Sequence, residues 1–481
     1  MYQLTIPIAE DGTPLYAQIY EYIKGQIRGG QIPAYTRLPS TRRLSADLGV
    51  SRSTVQLAYD QLCDEGYLDA EPCRGYFAAR VEGLSLFSWN EDKEGGGRTA
   101  KESAGERGQT PEGAAADNVC WDFSLSGADL THFPFNTWRR LAREVFSDET
   151  GDILRKGTAQ GEERLRQVIR EYLRQSRGVS CDPDQIVIGA GNEYLLMLLS
   201  QILGGVPIAM EEVTYCQAAR VLAAMGHEVV SVPMDGQGMC AGGPERAGVR
   251  AAYLMPSHQF PTGIVMPVAR RLELLSWAAD AGGYLIEDDY DSEFRYRGRP
   301  IPAMKSLDRE ERVIYLGTFS RAIAPAIRIS YLVLPRELLA RYRQVCGFYA
   351  CTVPRADQMI LARFMEGGYF ERHMNRMRAI YKSRHDCLVQ SLAVFGDALK
   401  VSGENAGVHL TLQDRRGRSE EELVHRALSA GVRVYGISAY RLPGGKEAAA
   451  SRKSTVLLGF AGLAEEDIRD GVQRLYEAWR P

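Results

Sequence analysis

A chain of 481 residues is too long for one hydrophobic core and implies roughly two to four folding units. With 45% hydrophobic and 25% charged residues, the composition is that of an ordinary soluble globular protein. The formal net charge of −3 gives the whole molecule no attraction to polyanions, so any nucleic-acid surface must be local. The nine cysteines include no Cys-x-x-Cys pair, and none has His at metal spacing, so no metal is expected. The N-terminus lacks a basic-then-apolar leader, and no run of about eighteen apolar residues occurs. The expectation is a cytoplasmic chain with reduced thiols, neither exported nor membrane-spanning.

The first 80 residues are a short block punctuated by turns. In LYAQIYEYIKGQIRGG, Leu15, Ile19, Ile23 and Ile27 recur every four residues and predict an amphipathic helix ended by Gly29 and Gly30. Pro39 and Ser40 open a second helix, TRRLSADL, closed by Gly49. Ser51 caps a third, RSTVQLAYDQLCDE, ended by Gly66, and YLDAEPCRGYFAAR predicts a small β-wing around Arg74-Gly75. Residues 24–52 carry Lys24, Arg28, Arg37, Arg42, Arg43 and Arg52 against Asp47 alone. In a helix-turn-helix the second helix of the turn presents its N-terminal residues to base edges. Ser51, Arg52, Ser53 and Thr54 occupy that end, where hydroxyls and the helix N-terminus suit phosphate and Arg52 suits guanine.

Over about 65 residues this block closely resembles the GntR-family winged helix-turn-helix. Its RLPS-x-R-x-L, LGVSR-x-TV and L-x-x-EGYL elements are nearly intact. The resemblance implies double-stranded DNA as partner, with contacts at Arg42, Ser51, Arg52, Ser53, Thr54 and Gln56, and Gly75 at the wing tip. The block is assigned to residues 1–80. Residues 81–119 follow as a flexible linker, because from Asn90 to Asn118 nothing apolar exceeds alanine.

Residues 120–481 alternate strand-like and helix-like runs. Strands are predicted at QIVIGAGN, PIAMEE, HEVVSVPM, RAAYLMP, GYLIEDD and RVIYLGTF, and helices at EYLLMLLSQIL and ARRLELLSWAADA. This alternation predicts an α/β domain with a mainly parallel sheet and helices on both faces. Ligands on such sheets sit at the carboxyl ends of strands. Gly189-Ala190-Gly191-Asn192 suits an anion at a helix N-terminus, although a lone Gly-x-Gly is more often a tight turn. Asp288 and Tyr290 end another strand, and Arg328 follows a Thr-Phe-Ser loop; together with an aromatic plate they form a set suited to a phosphorylated pyridine ring.

In order, RGVSCDPDQIVIGAGN, EEVTYCQAAR, SHQFPTG, LIEDDYDSEFRY and YLGTFSRAIAPAIRISY resemble the fold-type-I, pyridoxal-phosphate-dependent aminotransferases over some 360 residues. Joined to the GntR-like block, they resemble the MocR/GabR class of regulators. The resemblance implies a PLP-transferase-like domain with a smaller C-terminal α+β subdomain over about 370–481, and a homodimer with a small-molecule effector. It implies that Asp288 pairs with the pyridine nitrogen, Tyr290 with the ring hydroxyl, and that Tyr215 stacks on the ring. Gly191, Asn192, Ser320 and Arg328 would hold the phosphate of pyridoxal 5'-phosphate.

Where the family's motif has the Schiff-base lysine, this chain reads Gly317-Thr318-Phe319-Ser320-Arg321. A guanidinium, with a pKa above roughly 12, cannot serve as that amine or shuttle its protons. Lys156 stands where relatives carry Tyr, and Leu457 where many aminotransferases place the Arg that grips a substrate carboxylate; Arg441 or Arg452 are candidate substitutes. Three readings stay open: a sensor holding pyridoxal phosphate non-covalently with Arg321 on its phosphate or carbonyl oxygen, a sensor that has lost the cofactor, and an aminotransferase-type enzyme or carbon–nitrogen lyase with a relocated lysine such as Lys156 or Lys305.

Overall fold

The structure is a computed structural model and describes residues 6–7, 13–71, 74–79, 119–148, 151–296, 301–443 and 454–480. The linker assigned to 81–119 lies outside the described residues except at its last position.

The head consists of three helices and a hairpin: α1 (Leu15–Arg28), α2 (Thr41–Leu48), α3 (Arg52–Asp64), β1 (Leu68–Glu71) and β2 (Gly75–Ala78). Ser40 Oγ accepts from Arg43 N at 3.3 Å, and Ser51 Oγ accepts from Thr54 N at 3.1 Å, so each helix of the turn starts at a capped residue. Gly49 closes α2 at φ 66°, a conformation that favours glycine. Ile19, Ile23 and Ile27 pack on Leu44, Val55 and Leu62. Leu15 departs from the expected stripe: it begins α1, beyond the edge of this core, and is exposed. Lys24 also departs from the reading of a basic surface. It is buried and ion-paired with Glu65 at 2.9 Å, and Tyr20 donates to the same carboxylate at 2.7 Å, so its charge is spent inside the head.

The body is built on a seven-stranded sheet. Its strands in chain order are β3 (Ile186–Gly189), β4 (Ile208–Glu211), β5 (Val229–Val232), β6 (Ala251–Leu254), β7 (Tyr284–Asp289), β8 (Val313–Thr318) and β9 (Ser330–Val333). They lie in the order β3-β9-β8-β7-β6-β4-β5. The pairs β8-β7, β7-β6, β6-β4 and β4-β5 are parallel, while β9 runs antiparallel to both β8 and β3. Most of these strands are buried on both faces, as continuous apolar runs such as IVIG and AAYL require. A second sheet of four strands has the order β10 (Leu399–Ser402), β11 (His409–Asp414), β13 (Thr455–Gly459), β12 (Tyr435–Gly436). Helices α6 (Tyr369–Leu392) and α7 (Glu465–Ala478) pack with it through Leu388, Leu410, Leu458 and Val472. Among the described residues, no helix is long and apolar enough to cross a membrane, and no group of His, Cys, Asp and Glu has metal-binding geometry.

The parallel arrangement brings the loops after β3, β4, β6, β7 and β8 to one end of the sheet. These loops carry Gly191-Asn192, Tyr215, His258-Gln259-Phe260, Tyr290-Asp291 and Ser320-Arg321. The head rests on the body. Val268 N, opening α5 (Val268–Asp280), donates to Glu65 O at 3.0 Å, and Val268, Leu272 and Leu307 join the head's apolar core.

Candidate functional site

Asp288 is the penultimate residue of β7, and its side chain is almost fully buried. Tyr253 on the adjacent strand donates its hydroxyl to Asp288 Oδ2, and Asn192 Nδ2 lies 3.4 Å from Oδ1. Burial pushes the carboxyl up to about 7; the Tyr253 hydrogen bond opposes this, and neighbouring Asp289 and Asp291 add to it. Successive strand residues face opposite sides, so Glu287 and Asp289 point away from Asp288. Asp289 is ion-paired with Arg177 at 2.7 Å.

Asn192 opens the helix α4 (Asn192–Leu203), and among the described residues its buried Oδ1 has no hydrogen-bond partner. Gly191 adopts φ 92°, a conformation that favours glycine, and the Arg328 guanidinium packs against it, with Nη2 2.5 Å from where a Cβ would stand. Arg328 itself adopts φ 46° and is held at 2.9 Å by Glu193 in the first turn of α4. Ser320 Oγ lies 3.2 Å from Thr318 Oγ1, which is 3.0 Å from Ser330 Oγ, and Ser330 pairs with Gly189 across the sheet. Gly191, Asn192, Asp288, Ser320 and Arg328 therefore gather around the β3–α4 turn, which offers backbone N–H, amide, hydroxyl and guanidinium donors.

Tyr290 and Tyr215 belong to a neighbouring aromatic wall. Tyr290 Oη lies 2.9 Å from His258 Nδ1, which is also 2.9 Å from Asp291 Oδ2. Phe260 meets Tyr215, Tyr290, His409 and Tyr440 edge-on, with ring centroids 6.1, 6.1, 5.5 and 5.1 Å away. Burial, then the adjacent His258, lowers the His409 pKa to about 3, so that ring is neutral. His258, Phe260, His409 and Tyr440 are not among the residues singled out in the sequence. Only the SHQFPTG stretch hinted at the first two.

Arg321 is bonded to the chain's own backbone. Its guanidinium donates to the carbonyls of Leu125 and Gly127, the latter at 3.1 Å, on the segment that follows the strand Trp121–Asp122. Its charge opposes both protonation of His409 and the rise in Tyr290's pKa. Lys156 is exposed. Lys305 is buried in an ion pair with Asp308 at 3.1 Å, and its backbone N donates to Glu287, on the face of β7 away from Asp288. Leu457 is buried in the second sheet between Thr411 and Tyr435. The Arg441 charge acts on Glu420, which bonds Ser438, and Arg452 lies outside the described residues.

In the head, Arg42, Ser51, Arg52 and Ser53 are exposed, and the Ser51, Ser53 and Thr54 hydroxyls cluster within 2.8 Å at the start of α3. Gln56 bends back, with its Nε2 donating to Asp60 at 2.8 Å and Tyr76 on the wing at 3.0 Å. Gly75, at φ 111°, begins β2 beside Arg37.

Two family patterns match the chain: bacterial regulatory proteins of the gntR family over residues 15–77, and aminotransferase class I and II over residues 123–475. The chain is 37% identical to the HTH-type transcriptional regulator YdeL of Bacillus subtilis, with 97% of each chain covered. It is 33% identical to the probable rhizopine catabolism regulatory protein MocR of Rhizobium meliloti, covering 97% of this chain and 94% of that one. Among solved structures, α-aminoadipate aminotransferase LysN of Thermus thermophilus, complexed with N-(5'-phosphopyridoxyl)-L-leucine, is 25% identical with a TM-score of 0.64, covering 75% of this chain and 92% of that one. The exposed, capped α3 and the strand-end cluster are thus the DNA-binding head and the aminotransferase-like body of one transcription regulator, and the chain belongs to the MocR-type family.

Proposed function

We propose that the body is a sensor that binds pyridoxal 5'-phosphate without a covalent bond and passes its occupancy to the head. The observation that carries this reading is the set Asp288, Asn192, Gly191 and Arg328 around one turn, with the Arg328 guanidinium packed against Gly191 and, among the described residues, Asn192 Oδ1 left without a partner. These residues fit the cofactor. Asp288 would hold the pyridine N–H, Tyr290 the ring hydroxyl and Tyr215 the ring face. The Gly191-Asn192 turn, Ser320 and Arg328 would hold the phosphate. When bound, the cofactor supplies an aldehyde that captures amines. Here Arg321 stands in place of the lysine that would anchor it, and neither Lys305, in its ion pair, nor exposed Lys156 offers a substitute. The domain is therefore assigned no transaminase activity. The relative LysN, crystallised with a phosphopyridoxyl ligand, supports the choice of cofactor.

The chain is divided into a head over 1–80, a tether over 81–119 and a body over 120–481 whose C-terminal part forms a smaller subdomain. It works in the cytoplasm as a homodimer, with paired heads reading paired half-sites on DNA through Arg42, Ser51, Arg52, Ser53, Thr54 and Gln56, and with Gly75 at the wing tip. An effector acts by its differential affinity for two head arrangements.

The test is a calorimetric and absorbance titration with pyridoxal phosphate, followed by borohydride reduction and peptide mapping. Saturable binding without a trapped adduct is the expected result. An adduct on any lysine of the native chain would overturn the non-covalent reading and reopen that of an enzyme. A second reading has its own support: the Arg321 guanidinium is already bonded to Leu125 and Gly127, and needs no ligand anion. Absence of binding to the folded protein would favour that reading, a body that has lost the cofactor.

A further inference from the structure

We infer that the C-terminal end of the recognition helix is latched to the wall of the ligand site by Asp64, Arg295 and Asn405, so that the head and that wall report on each other. The regulatory half of the inference rests on the sensor reading above; the mechanical half does not.

Asp64 ends α3, at the opposite end from the DNA-facing residues. Its carboxylate takes an Arg295 Nη2 at 2.6 Å and the Asn405 amide at 3.3 Å. The Arg295 side chain is 4% exposed and, among the described residues, its Nε has no hydrogen-bond partner and Asp64 is the carboxylate that compensates this buried cation across the seam. Gly66, at φ 76°, lets the chain pass against Pro267, and a cleft of about 190 Å³ beside Asp60, Asp64 and Asn405 leaves room for the head to shift.

On the body side, both anchors belong to the ligand-site wall. Arg295 is seven residues beyond Asp288 on the loop that carries Tyr290 and Asp291. That loop pairs with the segment holding Asn405: Tyr296 N donates to Asn405 O at 3.2 Å, Gly407 N donates to Phe294 O at 2.8 Å, and Tyr296 Oη donates to Gly407 O at 2.5 Å. Gly407, at φ 78°, presses on the ring of His258, where any Cβ would overlap it. His258 in turn holds Tyr290 and Asp291. A change at Tyr290 or His258 therefore meets Arg295 and Asn405 within one bonded layer, and coupling between two sites is reciprocal.

Hydrogen–deuterium exchange on the full-length protein tests the latch. It compares the parent with Asp64→Asn, which preserves shape but removes the charge, and with Asn405→Ala, which removes the side-chain amide but keeps the backbone carbonyl that accepts from Tyr296 N. Both variants are expected to exchange several-fold faster over 59–67 and, away from the substitution, over 256–263 and 289–296. Faster exchange confined to 59–67, or no change anywhere, would overturn the latch. Calorimetry with pyridoxal phosphate forms the second arm. The expected result is a several-fold shift in Kd in Asp64→Asn and slower exchange over 59–67 in the bound parent but not in the bound variant. Equal Kd and equal exchange responses in both would overturn the reporting role. No binding in either protein would overturn the sensor reading, while the exchange comparison of the unliganded proteins still decides the latch.

Discussion

A carboxyl sealed under Tyr253 beside two further acids has little to gain from ionising, and Asp288 titrates near 7 for that reason. Its folded pKa lies above the unfolded value of about 3.9, so the stability it contributes is complete below that value and is lost as pH rises to about 7. Asp288→Asn keeps the Tyr253 hydrogen bond and has no charge to bury. Its urea midpoint at pH 8 is expected to exceed the parent's, with the gap closing toward pH 4. Its affinity for pyridoxal phosphate should fall roughly tenfold or more, the worth of one charge-assisted hydrogen bond. Equal urea midpoints at both pH values would mean that Asp288 is not the strained acid. Arg321→Lys makes the complementary case: losing one of the two carbonyl bonds to the 125–127 segment should cost about 1–2 kcal/mol in denaturant unfolding. The variant should also yield a borohydride-trapped adduct at position 321 that the parent lacks. The place of Asp288 and Tyr290 at a strand end was legible in the sequence because an acidic cluster directly after an apolar run marks one, whereas their proposed roles rest on the resemblance. His258, Phe260 and His409 were not legible, because a lone ring in a loop has no periodicity and His409 reaches this wall from 149 residues beyond Phe260.

At the scale of the element, the cap of α3 joins stability to recognition. Ser51 Oγ serves Thr54 N and also lies among the hydroxyls at the end proposed to face DNA. Ser51→Ala should cost the head about 1 kcal/mol in thermal unfolding and weaken DNA binding, whereas Arg52→Ala should leave unfolding unchanged and abolish sequence-specific binding in selection from random duplexes. Full-strength specific binding by Arg52→Ala would mean that the reading end of the head lies elsewhere. The helices of the head were readable because serine caps and glycine stops bracket each one. Lys24 was misread because helical spacing places a residue on a face but does not show which acid closes over it; Glu65 arrives from 41 positions away. In the body, the strands feeding the ligand end stood out as apolar runs, but Ser330–Val333 did not. Four residues after a loop are too short to carry a period, and the antiparallel entry of β9 between β3 and β8 is a tertiary choice.

At the scale of the whole molecule, the proposed dimer should bury apolar groups that one chain leaves in water. Leu154 and Phe348 are 82% and 70% exposed, and a dimer contact over them would take both out of water. They sit on segments drawn together by Arg355, seven residues after Phe348, whose guanidinium bonds the Asp152 and Arg155 carbonyls on either side of Leu154. The loop bearing Phe348 also reaches the turn proposed to hold the ligand, where Ala190 N donates to Thr352 Oγ1 at 2.9 Å. A two-fold contact on this face would use the same patch from both copies and would set the two ligand turns beside the interface. Sedimentation of the parent should therefore give a dimer, and Leu154→Glu combined with Phe348→Glu should give a monomer with an unchanged far-ultraviolet spectrum. Because a dimer binds paired half-sites with the second contact made intramolecular, the monomeric variant should lose affinity for a two-site duplex by a factor on the order of a hundred while binding a single half-site like the parent. A dimer that survives both substitutions would move the interface to another face, and a parent that sediments as a monomer at micromolar concentration would remove the two-headed reading altogether.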